Sequence, residues 1–261
     1  MSKLIEKFKL YTQPAVQTLG FQRNITRERP RLVLIADTSY DKSATIKKLT
    51  GADAFFTGMQ PDAKTLDTIE DSNTPVTEII RGTRLDSNIL QNMSNNPEFS
   101  VPHADFFIFS YDTPLVTLPA SSGRIIEIDS STSDTLLRAL EDLPVDAIFL
   151  RDDTTEKITW GTLNLIQRVD NLTSRFLLVK VSPNVNKIEL EMLWRVGIDG
   201  IIVDTEGIPA DQLSQIRNTI EQANFPLQRK VKKPDVILPF LIQDSTVPDH
   251  EEEEEGDEDE D

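Results

Sequence analysis

From residue 31 to residue 204 the chain alternates between short runs of β-branched, aliphatic and aromatic residues and longer stretches whose apolar positions recur at three- and four-residue spacing. The short runs predict eight strands: RLVLIAD (31–37), AFFTG (54–58), VTEIIR (76–81), DFFIFS (105–110), RIIEID (124–129), DAIFLR (146–151), FLLVKVS (176–182) and GIIVD (200–204). The stretches between and after them predict helices over 42–50, 61–72, 86–95, 132–142, 159–173, 186–196 and 209–223. Ser133 with Asp134 supplies a start signal for the fourth of these, and Gly197 a stop for the sixth. Units averaging about 24 residues read as successive βα steps around a parallel sheet, and eight of them predict an α/β fold, a compact (β/α)8 TIM-type barrel over 31–224.

One connection breaks the pattern. Residues 111–123, YDTPLVTLPASSG, contain two prolines and a glycine, which disfavour a full crossover helix. Either the fourth βα unit has a degenerate helix, or the sheet is open and carries fewer strands. Ahead of the barrel, residues 1–30 form a lead-in. Within it Leu4, Ile5, Phe8 and Tyr11 share one helical face, away from Lys3, Lys7 and Lys9. That spacing predicts a helix that caps the bottom of the barrel or contacts a second subunit, giving a homo-oligomer; a membrane-surface helix is the competing reading. The interleaved lysines are unlike a signal peptide, and no apolar run approaches the roughly 20 residues a bilayer span needs, so a cytoplasmic protein is expected. After the last helix, residues 225–248 carry four prolines around the apolar cluster VILPFLI and predict an extended segment packed on the barrel or on another subunit. No internal repeat is read beyond the βα period itself.

Composition narrows the chemistry. With 261 residues and 38% apolar side chains, the chain has the material for one sizeable core. Cysteine is absent, which excludes disulfides, cysteine-ligated zinc and a thiol nucleophile. The two histidines, His103 and His250, cannot build a poly-histidine metal site. Eleven acids in residues 249–261 account for most of the net charge of −17 and leave the rest of the chain at −6. Such a run cannot bury apolar surface to offset its ordering entropy, so a disordered tail is expected, acting as a solubility element or touching a basic partner. No basic stripe with interleaved aromatics occurs, which argues against nucleic-acid binding.

Barrels of this kind place their active sites at the carboxyl ends of the strands. Because side chains alternate along a strand, outward Leu177, Val179 and Val181 turn Lys180 and Ser182 inward, and outward Ile126 and Ile128 turn Glu127 and Asp129 inward. The same count puts Asp37, Thr57, Arg81, Ser110, Arg151 and Asp204 at strand tops. The mouth would then oppose Arg81, Arg151 and Lys180 to Asp37, Glu127, Asp129 and Asp204, a set suited to a small anionic metabolite. The arginines offer planar forks for a carboxylate. Lys180, crowded by cations, would shed its proton more readily and serve as base or Schiff-base amine. Glu127 and Asp129 could instead hold Mg²⁺ or another divalent cation. A barrel interior whose charges merely neutralise one another is the plain alternative. Phosphorylated substrates are disfavoured, because the loops after the last two strands, SPNVN and TEGIP, offer the single glycine Gly207. No dinucleotide or Walker motif occurs.

The stretch FLLVKVSPNVNKIELEMLWRVGIDGIIVD, residues 176–204, resembles the VKxSPN segment and GxDG strand start of dihydroorotate dehydrogenase-like FMN barrels, and its second half is similar to many aldolase-type barrels. The resemblance covers 29 residues. It implies a flavin contact for Lys180 with Ser182 and Asn184 nearby, although the glycine-rich flavin-phosphate loops and a catalytic Ser or Cys loop of that family are missing. Three functions follow. One is a lyase or aldolase acting on a small carboxylated metabolite, with Arg81 and Arg151 binding the anion, Lys180 as base or nucleophile, and Asp204 or Glu127 moving protons, while Asp37, Asp129, Ser110 and Ser182 complete the substrate shell. The second is a non-catalytic barrel retained for interaction or assembly, and the third a flavoprotein.

Overall fold

Eight parallel strands pair in chain order and the last returns to the first, so the sheet is closed. They are β1 (Val33–Asp37), β2 (Ala54–Gly58), β3 (Ile80–Leu85), β4 (Phe106–Ser110), β5 (Gly123–Asp129), β6 (Ala147–Arg151), β7 (Phe176–Val181) and β8 (Gly200–Asp204). The computed structural model describes residues 1–12, 31–39, 46–58, 79–85, 104–115, 118–151 and 157–226. Helices α1 (Lys3–Thr12), α2 (Ile46–Leu49), α3 (Asp134–Ala139, extended by a 3-10 turn over Leu140–Asp142), α4 (Trp160–Leu172), α5 (Lys187–Arg195) and α6 (Gln212–Gln222) occur among those residues. The chain is a (β/α)8 TIM-type barrel, and the open-sheet alternative falls. Between β4 and β5 the described residues form turns and no helix, so the fourth unit is the degenerate one. The expected helices over 61–72 and 86–95, the segment after 226 and the acidic tail lie outside the described residues.

Strand alternation sorts the apolar residues into two layers. Val33, Ile35, Phe56, Ile108, Phe149, Leu178 and Ile202 fill the barrel interior, whereas Leu34, Ala36, Ile126, Ile148, Val179 and Val203 face the helices. The interior layer also takes Leu4, Ile5, Phe8 and Tyr11, so α1 caps the barrel by inserting its apolar face.

The third strand extends beyond its expected place. Among the described residues it covers Ile80–Leu85 and runs past the expected end at 81, while 76–78 of the expected strand lie outside the described residues. Packing carries the strand on to Leu85 through Gly82. A Cβ at Gly82 would lie 2.2 Å from the Phe106 ring, so only glycine lets that ring fill the interior. Glycine inside a strand is a negative signal in sequence, so the pattern ends the strand at Arg81, ahead of Gly82. Gly82→Ala is expected to cost about 1–3 kcal/mol through overpacking and to lower the calorimetric melting temperature by several degrees. An unchanged transition would show that the ring has room to move.

At the opposite end from the mouth the structure reveals a fourfold device. An aspartate precedes each even strand, in ADAFF (52–56), ADFFI (104–108), VDAIF (145–149) and IDGII (198–202). The N–H groups of Asp53, Asp105, Asp146 and Asp199 donate to the carbonyls of Leu34, Arg81, Arg124 and Leu177, the second residue of each odd strand or its equivalent, at 2.8–2.9 Å. The carboxylates of Asp53, Asp146 and Asp199 accept the N–H of Leu34, Arg124 and Leu177 in return. Asp105 instead accepts from Ser2 Oγ and from the N–H groups of Lys3 and Leu4, tying down the start of α1. Each aspartate satisfies backbone donors at the barrel rim, and those of Leu34 and Leu177 would otherwise be buried and unpaired.

Candidate functional site

The strand tops end in tight side-chain turns that aim their polar groups. Ser39 N–H donates to Asp37 Oδ1 at 3.0 Å, Ser131 N–H to Asp129 Oδ1 at 2.8 Å, and Glu206 N–H to Asp204 Oδ1 at 2.9 Å. Asn184 N–H does the same to Ser182 Oγ at 3.3 Å. These are Asx- and Ser-type turns, and each fixes one oxygen of the strand-end side chain. Thr38 and Thr205, the residues after Asp37 and Asp204, add a second clamp. Each donates both its N–H and its hydroxyl to a carbonyl of the neighbouring strand, Phe56 for the first and Asp37 for the second. The Thr205 carbonyl in turn accepts from Lys48 Nζ, a buried ammonium on α2, at 3.1 Å.

Two charged groups result. In the first, Asp37 and Asp204 stand at the same register on the adjacent strands β1 and β8, and Lys180 on β7 bonds Asp204 Oδ2 at 3.1 Å. Asp37 is 2% exposed. Burial pushes its carboxyl above the ordinary carboxylate value against the pull of the Ser39 hydrogen bonds, with the Asp204 charge adding to the rise and Lys180 opposing it. Two carboxylates side by side with unequal surroundings are the arrangement that separates an acid from a base. The described partner of the lysine is a carboxylate.

The second group centres on buried Glu127 of β5. Arg84 Nη2 reaches both of its oxygens, at 2.8 and 2.7 Å, and Arg151 Nη1 donates at 3.1 Å. Arg84 is 12% exposed and Arg151 47%, so the first forms the floor and the second reaches toward solvent. Arg81, expected here, is corrected. With β3 starting at Ile80 it is the second residue from the amino end and has the outward parity opposite to Gly82. Arg84 has the interior parity, and continuing the count from Ile80 through Gly82 would have found it. Thr57 likewise lies on the outward parity, between interior Phe56 and the strand end.

The remaining predicted residues join neither group through a described contact. Asp129 is exposed and spends its Oδ1 on Ser131 and Thr132. Ser110 faces Thr113, 3.3 Å between hydroxyls, in the turn after β4. Ser182 lies on the β6–β7 side of the mouth, two residues past Lys180.

The donor set does not suit the groups that the sequence suggested. Glu127 gives both oxygens to arginine, and the two guanidinium charges beside it disfavour a cation shared with Asp129. Among the described residues no three acids or histidines converge as metal ligands. A flavin or substrate phosphate would seek the starts of α5 and α6. At α5, a capping box takes the N–H groups of Asn186 and Glu189 and sets the Glu189 carboxylate on the first turn. At α6, Asp211 stands at the N-cap, bonded by Gln215, with Glu206 nearby in the chain. An acid at each helix start repels phosphate, so FMN does not fit these residues.

No family model matches the chain, and no curated protein matches it in sequence. Among solved structures, it is similar to a mutant tryptophan synthase alpha-subunit from the hyperthermophile Pyrococcus furiosus, at 13% identity and a TM-score of 0.45, covering 73% of this chain and 96% of that one. A structure of the tryptophan synthase a2b2 complex from the same organism matches at 14% identity and a TM-score of 0.44, with the same coverage. No helix among the described residues is long and apolar enough to cross a membrane.

Proposed function

We propose that the mouth is the active site of a lyase- or aldolase-type enzyme acting on a small carboxylated metabolite by proton transfer next to a carbonyl. The observation that carries this reading is the pair Asp37 and Asp204 at one register with Lys180 on the second of them. Asp204, as carboxylate, takes the proton from the carbon beside the carbonyl. The electron pair moves onto the carbonyl oxygen, where the Lys180 ammonium meets the developing negative charge. Asp37, held protonated more readily than an ordinary aspartate, returns a proton. Arg151, with Arg84 behind it, supplies the fork for the substrate carboxylate.

Proton exchange tests it without knowledge of the full substrate. In D₂O, NMR should show the C3 protons of pyruvate, 2-oxobutyrate or 2-oxoglutarate lost faster with protein than without it. Asp204→Asn should slow the protein-dependent rate at least about a hundredfold. Exchange no faster than the blank for all three acids would end the proposal. Borohydride treatment with the same acids asks separately whether Lys180 works as a Schiff-base nucleophile, read as a reduced adduct on its peptide.

The pairing of Glu127 with two arginines and of Lys180 with Asp204 favours a second reading, a non-catalytic barrel kept for interaction. It predicts no exchange, and a partner captured by the full chain but not by a chain lacking residues 249–261 would identify the acidic tail as its contact.

A further inference from the structure

A cleft of about 740 Å³ opens between the loops that follow β6 and β7, within the size range of small-molecule sites. Lys157 and Ile158 form one wall, and Ser182, Pro183, Asn184 and Val185 the other. We propose that this cleft binds the hydroxylated chain of a sugar-acid-like ligand. The inference rests on the reading of the mouth as a substrate site and names the substrate class: a hydroxylated oxo-acid of about five or six carbons.

Three features carry it. First, the lining, which also includes Asn186 and the acid Glu189 with one oxygen taken by the Asn186 N–H, mixes hydrogen-bonding groups with small apolar faces, as a chain of alternating C–H and O–H surfaces requires. Ser182 Oγ accepts the Asn184 N–H, which leaves its own hydrogen to donate, and the Asn184 carboxamide is exposed. Lys157 makes no ion pair among the described residues and supplies one positive charge for an acid group.

Second, the Ser182 wall is preorganised. The Pro183 carbonyl is held by Gln212 Nε2 of α6 at 2.7 Å, and the capping box of Asn186 and Glu189 fixes the turn into α5. A wall already ordered loses little entropy on binding.

Third, the cleft and the acid–base group share one stretch of chain, the end of β7 and the residues that follow it. Ser182 follows Lys180 by two residues on the same strand line, a separation of about 6.6 Å and comparable to the length of a short carbon chain. A carbonyl at Lys180 would therefore place the next hydroxyls at Ser182 and Asn184. Trp160, two residues beyond Ile158 on the first turn of α4, is 79% exposed. It gives the cleft an aromatic neighbour and a reporter, because the other tryptophan, Trp194, is buried against Phe225.

The test titrates the full chain with gluconate, 2-ketogluconate, sorbitol and pyruvate, following tryptophan emission and saturation-transfer NMR of the probe. Gluconate and 2-ketogluconate should change the emission saturably in the millimolar range, and Trp160→Phe should remove the change while the NMR contact remains. Asn184→Ala and Lys157→Met, both at exposed positions, should each weaken binding by about tenfold. Pyruvate should leave the emission unaltered, and sorbitol should bind far more weakly. The proposal is overturned if neither acid registers in either measurement, if sorbitol binds as well as gluconate, or if both variants bind like the parent. Saturable binding of the acids without any proton exchange would sink the reading of the mouth and not that of the cleft. Exchange on pyruvate without a response to either sugar acid would do the reverse.

Discussion

Phe8→Ala is expected to destabilise the protein by about 3–5 kcal/mol, among the largest effects of any single substitution in the body of the barrel. The ring is fully buried, stacks on Phe176 with 5.1 Å between centroids, and belongs to the interior layer with Val33, Ile35 and Ile202. Gly200 is part of the same fit, since a Cβ there would come within 3.0 Å of the Phe8 ring. A parallel barrel closed by hydrogen bonds on every strand cannot collapse inward to refill the space, so the cost includes the cavity as well as the lost transfer free energy. The check is a urea midpoint lowered at unchanged denaturant slope, set against Leu10→Ala on the exposed side of the same helix, which should stay within about 0.5 kcal/mol of the parent. A loss below about 1 kcal/mol for Phe8→Ala would mean that α1 covers the barrel without supporting it.

The amphipathic face of α1 was legible because Leu4, Ile5, Phe8 and Tyr11 follow the 3.6-residue period, and the strand parities were legible because aliphatics repeat at period two. Both signals survive burial, since they arise from the pattern that burial imposes. The position of β3 was hidden for the opposite reason. Gly82 answers a distant ring, Phe106, and a requirement for missing volume leaves no β-forming residue to read. Arg84 was lost with it. The repeated aspartate before each even strand is plainly visible as xDx followed by two large apolar residues. Its spacing, two βα units, is longer than the βα period itself, so it does not register as part of that period. At the mouth, residue types and parity placed Asp37, Lys180 and Asp204 on the same side, but which carboxylate touches the lysine depends on strand register. The count along a single strand carries no information about its neighbour's offset. The shared register of Asp37 and Asp204 follows from β8 closing onto β1, a contact between strands about 167 residues apart in the chain.

Asp53→Ala should cost about 3–5 kcal/mol at neutral pH, because it strips three partners at once from a site only 6% exposed. Its carboxylate accepts the Leu34 N–H at 2.9 Å, holds Lys7 Nζ of α1 at 2.9 Å and pairs with Arg217 of α6. Removing it leaves the Arg217 guanidinium, itself 12% exposed, and a buried strand N–H without their acceptor. Burial alone would raise the Asp53 carboxyl, but Arg217, the Leu34 N–H and Lys7 together outweigh it and hold the group below its ordinary value. A carboxyl lowered in the folded state contributes its stability above the unfolded value, about 3.9, and loses it as the pH falls through the folded one. The gap between parent and variant should therefore be constant from about pH 5 upward and narrow below about pH 4 as the folded carboxyl takes up its proton. Urea midpoints of both proteins across that range measure it. Because Lys7 and Phe8 are neighbours on the helix that plugs the barrel, the double variant with Phe8→Ala should lose less than the two singles combined. A gap that keeps its full size into strong acid would show that Asp53 acts through its shape and not through its charge.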